Sequence, residues 1–325
     1  MSREVYIERF RRLHCNPVNG RASPHKPVML LSVLLLAETG RLLENKVLYS
    51  SLLVELFRSI FAVVRRDNDQ PTSHNPFFHL KREGFWHLHP NPGMDMALQY
   101  TRQVKGPSQL KELVAFASLD AELFMLIKES SIRHEFQALL IQTYLSHAAT
   151  AVWQVLKDEV MIAAHQNRLM DAKSIASEKV VDRVRSTAFR RLIRDLYDVR
   201  CAACGLRFFY DDVDVIDAAH LIPFSVSGDD RPQNGMALCK NHHWLMDHAI
   251  LAPGPGRGGD YKRPVWHLRP GLDNRLEEHR AVLELKGRTV LLPHDQSCLP
   301  AREGMDWRMD RLLRDEVVTE TDYAE

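Results

Sequence analysis

Cysteine is scarce in this chain of 325 residues: there are five, an odd number. That excludes a secreted disulfide scaffold and fits a reducing compartment. Long apolar runs are also missing. The longest, residues 28–37, is interrupted by Ser32 and falls well short of the ~20 residues that span a bilayer. Met1-Ser2-Arg3-Glu4 leads into charged sequence rather than the apolar core of a signal peptide, so a cytoplasmic location and no membrane partner are expected. Net charge is nearly absent, with 43 Lys and Arg against 42 Asp and Glu. No internal repeat or low-complexity tract occurs, which excludes solenoids and propellers. What remains is ordinary: 45% apolar and 26% charged residues, enough for about two folded domains.

The neutral total hides segregation. Residues 1–105 carry 15 basic and 9 acidic side chains, and residues 183–207 carry seven Arg against Asp195 and Asp198. The tail, 315–325, carries five acids and no base. Basic segments of this kind suit an anionic partner such as nucleic acid. They also suit plain solvated faces.

Apolar periodicity predicts helices over 4–13, 28–38 and 52–66. Phe77-Phe78-His79-Leu80 and Phe85-Trp86-His87-Leu88 flank a turn at Gly84 and read as a β-hairpin. Residues 108–170 read as helical throughout, 165–178 as a polar linker, and 179–197 as a basic amphipathic helix. The stretch 253–259 reads as an exposed Pro/Gly loop, and 265–268 and 288–292 as short strands. The expected class is α+β. A helix-rich domain with a small β-hairpin covers 1–164. After the linker, 165–178, a second domain with the acidic tail covers 179–325.

Chemistry concentrates in 197–251. Cys201-Ala-Ala-Cys204 and Cys239-Lys-Asn-His242 form C-x-x-C and C-x-x-H pairs, the ligand set of a closed tetrahedral Zn²⁺ site. Buried thiols or a redox pair are the alternatives, although a redox C-x-x-C normally adjoins a βαβ unit, which is lacking here. Cys15 and Cys298 stand apart and read as small buried hydrophobes. A second set is His220, Asn234, His243 and Asp247. His220 closes an apolar-flanked strand, 213–221. His243 and Asp247, four apart on a helix, share a face. An imidazole on the strand can take a proton from water, an open metal site can hold substrate, and Asn234 can tie the loop between strand and helix by side-chain hydrogen bonds.

His220, Asn234 and His243, next to the paired cysteines, resemble the HNH nuclease domain, a ββα-metal fold, in its zinc-stapled form. The resemblance covers roughly 188–248. It implies that His220 is the general base, Asn234 the structural residue and His243 a ligand of the catalytic divalent metal, Mg²⁺ or Mn²⁺. Many members carry Asp or His just before the base, where this chain has Ala219, so Asp247, or else Asp217, is expected to complete the shell. The implied reaction is phosphodiester hydrolysis, with Arg183, Arg185, Arg190, Arg191 and Arg194 supplying phosphate contacts.

Ser23-Pro24-His25-Lys26-Pro27, Asn75-Pro76-Phe77-Phe78-His79-Leu80 and Gly84-Phe85-Trp86 resemble a second family over about 6–105. This is the sulfur-binding domain of modification-dependent HNH restriction endonucleases, which recognise phosphorothioate DNA. Asn75 stands where that family usually has an aromatic residue. An apolar notch at Pro76 would favour sulfur over the better hydrated oxygen. His25, Lys26, Asn75 and Arg102 are the expected contacts to flanking DNA, and Phe77, Phe78, Phe85 and Trp86 are expected mainly in the core. Together these features imply a metal-dependent restriction endonuclease acting on double-stranded, phosphorothioate-modified DNA. A double-strand cut with one site per chain calls for a homodimer. The alternatives are an HNH nuclease or nickase acting on unmodified or otherwise modified DNA, and a zinc-stapled DNA-binding protein without cleavage.

Overall fold

Helix His25–Glu38 is apolar on every side, and every residue from Lys26 to Leu36 is buried, so it must lie in the middle of its unit. Pro27 falls in the first turn, where backbone N–H groups have no helical partner to lose. Ser32 satisfies its hydroxyl by donating to Val28 O at 2.8 Å. The helix ends at Gly40 (φ +70°). There Gly40 N donates to Ala37 O (3.3 Å) and Arg41 N to Leu36 O (2.8 Å), the paired bonds of a Schellman cap.

The computed structural model describes residues 3–18, 21–66, 69–171, 181–210 and 213–314. They divide into two compact units, Met1–Ala164 and His165–Glu325. In the first, helices Arg3–Arg11, Ser51–Val64, Ser130–Tyr144 and the part of Ala149–Met170 up to Ala164 accompany the central helix around one apolar core. Helix Ser51–Val64 is capped by Ser50 Oγ, which accepts from Leu53 N at 3.2 Å, and it buries Leu53, Phe57, Ile60 and Phe61 along one face.

The aromatic hairpin expected around Gly84 is not formed. His74–His79 is a short α-helix, continued by a 3₁₀ turn over Leu80–Glu83. Pro76 explains the choice: without an N–H it weakens a strand ladder but fits a helix's first turn. The second aromatic run does form a strand, Trp86–Pro90, but its antiparallel partner is Val114–Leu119, with Trp86 opposite Leu119. Residues 108–170 are therefore not helical throughout. The expected linker also begins too early, since helix Ala149–Met170 runs through residues 165–170. Residues 172–178 and the acidic tail, 315–325, lie outside the described residues.

The second unit carries the basic helix, here Asp182–Leu196, with Val184, Ala188, Phe189, Leu192 and Ile193 buried. Strand Ile216–His220 pairs antiparallel with Gly235–Cys239, His220 opposite Gly235 and Ile216 opposite Cys239. Helix Lys240–Asp247 follows directly, completing a strand–strand–helix unit. A side chain at position 235 would bring Cβ to 2.9 Å from Phe189 Cζ. Glycine there lets the basic helix lie flush on the sheet.

Only the end of the Pro/Gly stretch, 257–259, is the exposed turn expected; the rest lies in a strand. Leu251–Gly256 is a strand paired with Asp260–Leu268. Gly254 leaves room for helix Arg302–Leu313, since a Cβ would sit 2.6 Å from Met309 Sδ. The stretch 288–292 makes only a single bridge, Thr289 to Val265. Among the described residues no helix is long and apolar enough to cross a membrane.

Candidate nuclease centre and zinc cluster

Cys201–Gly205 is a tight turn. Gly205 (φ +75°) donates its N–H to Cys201 O at 2.8 Å, and Ala202 N docks on Ala237 O at 2.8 Å. The turn is thereby fixed against the strand that ends in Cys239. The ligand atoms of Cys201, Cys204, Cys239 and His242 all lie within 4.8 Å of one another. His242 Nδ1 is 3.0 Å from Cys239 Sγ and 3.4 Å from Cys201 Sγ. A tetrahedron with zinc–sulfur bonds of ~2.3 Å has edges of about 3.8 Å, so the four donors fit such an ion. A side-chain hydrogen bond with Cys239 holds the Cys201 thiol low, and the same bond pushes Cys239 up. Cys298 is buried and Cys15 half-buried, with burial pushing the Cys15 thiol up to about 11.

His220, the last residue of its strand, lies face to face with Phe189, centroids 3.9 Å apart and planes 4° from parallel. Its Nε2 is 2.8 Å from Asp230 Oδ1. Asn234 is buried. Its Oδ1 accepts from Ile222 N, and its Nδ2 donates to Ile222 O and Asp229 O, each at 2.9 Å. It therefore ties the loop between the two strands, not a strand-to-helix loop.

His243 sits between two carboxylates, Asp217 Oδ2 at 3.5 Å from Nδ1 and Asp247 Oδ2 at 3.3 Å from Nε2. The His243 contact, with Lys240 nearby, holds the Asp217 carboxyl below its ordinary range. Ala219 is buried and offers no donor. Asp217, two residues earlier, is on the same face of the strand. The two carboxylates face opposite ring nitrogens, so His243 can share a hard divalent cation with one of them while the other accepts the remaining ring N–H.

Arg308 was invisible to motif reading. Only 4% exposed, it reaches in from helix Arg302–Leu313. Nε donates to Leu221 O (2.7 Å), Nη1 to Met246 O (2.9 Å), and Nη2 to His220 O (2.8 Å) and Asp247 Oδ1 (3.1 Å). One planar guanidinium thus joins the end of the strand bearing His220 to the helix bearing His243.

The expected DNA contacts divide. On the basic helix Arg183 and Arg190 are exposed. Arg191 is buried, Arg194 is paired with Asp214, and Arg185 is paired with Asp230, so these three do not present free guanidinium groups. In the first unit Arg102 is exposed. Lys26 is only 8% exposed, its ammonium paired with Glu83 and donating to His14 O at 2.8 Å. That overturns its expected place on an open phosphate-binding surface. His25 is half-buried and held on both ring nitrogens. Its Nδ1 meets Ser23 Oγ and its Nε2 meets Gln70 O, both at 2.8 Å, and burial lowers its pKa. Pro76 is buried, and so are Phe77, Phe78, Phe85 and Trp86. The buried Oδ1 of Asn75 has no hydrogen-bond partner. Sequence reading passed over Lys81, whose ammonium lies 3.7 Å from the Phe78 ring centroid, and exposed Arg82. Both follow the Asn75–Pro76 helix directly, and that adjacency was the available signal.

Residues 201–252 match the HNH endonuclease family HNH_2, and residues 3–159 match the family described as ScoMcrA-like, DNA sulfur-binding domain. Among solved structures, the sulfur binding domain of SprMcrA complexed with phosphorothioated DNA is 18% identical, with a TM-score of 0.39, covering 49% of this chain and 97% of that one. No curated protein matches.

Proposed function

We propose that this chain is a restriction-type DNA endonuclease directed to phosphorothioate-modified DNA, with residues 3–159 reading the modification and the His220/His243 centre hydrolysing a phosphodiester. The observation that carries this reading is the presence of both matched domains in one chain. It is supported by a ββα unit that brings His220 and His243 onto adjoining elements.

His220 takes a proton from the attacking water through the ring nitrogen that faces away from Asp230. Asn234 holds the loop beside it, and Phe189 fixes the plane of the ring. His243 and one of its two flanking carboxylates would hold Mg²⁺ or Mn²⁺, which would neutralise charge at the scissile phosphate and the departing 3′ oxygen. Of the two carboxylates, Asp247 is already met by buried Arg308 and suits the role of accepting the His243 ring N–H. Asp217 is met by exposed Lys240, whose ammonium is well hydrated, and suits the ion itself. Cys201, Cys204, Cys239 and His242 would hold a structural Zn²⁺, a thiol-rich site suited to a reducing cytoplasm. Exposed Arg102, Arg82, Arg183 and Arg190 supply backbone contacts without sequence information. A double-strand cut with one centre per chain calls for two copies on the duplex.

The test is direct. The full chain carrying His220→Ala should bind a phosphorothioate duplex about tenfold or more tighter than the same unmodified duplex, a difference of about 1.4 kcal/mol. Both are measured at one stated salt concentration. Equal affinities would remove the sulfur-reading role and leave the nuclease centre standing.

A further inference from the structure

A general base must present a lone pair, and imidazole has one only on its unprotonated nitrogen. At His220 the choice between nitrogens is made by a neighbour outside the His–Asn–His pattern. An ionised carboxylate only accepts hydrogen bonds. Asp230 Oδ1 lies 2.8 Å from His220 Nε2, so Nε2 carries the ring proton and Nδ1 keeps its lone pair.

Asp230 is itself tightly placed. Its side chain is 5% exposed, and its second oxygen accepts from Arg185 Nη1 at 2.8 Å. The Arg185 guanidinium carbon lies 3.5 Å from the Phe224 ring centroid. The loop bearing Asp230 is tied at the preceding residue, where Asn234 Nδ2 donates to Asp229 O. The carboxylate's direction is therefore set from the basic helix and from the turn that precedes the second strand, while Phe189 sets the plane of the ring it addresses.

We propose that Asp230 is a positioning residue for the hydrolysis: it fixes the His220 tautomer with Nδ1 free for water, and Asn234 acts through it by holding its loop. The proposal rests on the nuclease reading. Its physical basis is that of a buried carboxylate orienting a catalytic imidazole, where replacement by the amide leaves the geometry intact but selects the wrong tautomer.

Asp230→Asn should lower kcat for phosphodiester cleavage by about 10²–10⁴-fold, with KM, duplex affinity and zinc content unchanged. In ¹⁵N NMR of the full wild-type chain, neutral His220 should carry its proton on Nε2. In the variant the protonation should move toward Nδ1. A wild-type ring protonated on Nδ1, or a folded Asp230→Asn variant with wild-type kcat, would overturn the proposal. The tautomer is read without any cleavage. If the wild type cut no DNA the nuclease reading would fall, and the NMR result would still decide what Asp230 does to His220. If Asp230→Asn failed to fold, the wild-type tautomer alone would decide.

Discussion

Replacing His220 by alanine should slow single-turnover DNA cleavage by about 10²–10⁴-fold, the usual contribution of a general base. Duplex affinity and thermal stability should stay close to wild type. The strand survives because its pairing with Gly235–Cys239 is made by backbone groups. The bond from Arg308 to position 220 also goes to a backbone carbonyl. Asp230 keeps Arg185 as a partner, so no buried carboxylate is stranded. What is lost is the ring stacked on Phe189, the group placed to take a proton from water. Cleavage at the wild-type rate, in a variant with an unchanged melting curve, would remove His220 from the role of base.

A larger effect on stability is expected at the cysteine cluster. Purified protein should carry zinc in a 1:1 ratio with chain, matching the one cluster found among the described residues. Cys201→Ser should lose the metal and unfold the second unit. Apparent binding free energies of structural zinc are about 10–16 kcal/mol, comparable to the whole stability of a domain at about 5–15 kcal/mol. The coupling to the rest of the unit is visible at Ala202. Its N–H donates to Ala237 O, and its carbonyl accepts from Leu291 N at 3.0 Å and Trp266 Nε1 at 3.3 Å. Loosening that turn releases the strand ending in Cys239 and the helix bearing His243. The first unit, with its own core, should keep its melting transition. Zinc-free wild-type protein with the same melting curve would refute the structural role.

The parts of this molecule that could be read from sequence are those with a fixed local spacing. Helices His25–Glu38 and Ser51–Val64 follow from apolar patterning with Pro27 at the start and Gly40 after the end. The cluster of Cys201, Cys204, Cys239 and His242 follows from two three-residue intervals. His220, Asn234 and His243 follow from order and interval within one short segment. Residues acting across long separations could not be read. Arg308 meets the carbonyl of His220 from 88 residues away, and Lys26 finds Glu83 57 residues on. In both cases a cation is buried on partners far away in sequence. Asp230 lies only ten residues from His220, yet nothing in a loop sequence tells which of two adjacent aspartates turns inward. The paired aromatics Phe77 and Phe78 were misread because a short apolar run fits a helix or a strand alike. Strand Trp86–Pro90 found a partner beyond the nearest turn for the same reason.

The most direct test is cleavage itself, with the full wild-type chain and two plasmids of identical sequence, one phosphorothioate-modified and one not. Each is incubated with Mg²⁺, Mn²⁺ or EDTA. Cutting of the modified plasmid with either metal, sparing of the unmodified plasmid and silence in EDTA are the expected results. Equal cutting of both plasmids, or cutting that persists in EDTA, would contradict a metal-dependent nuclease directed by the sulfur-binding domain.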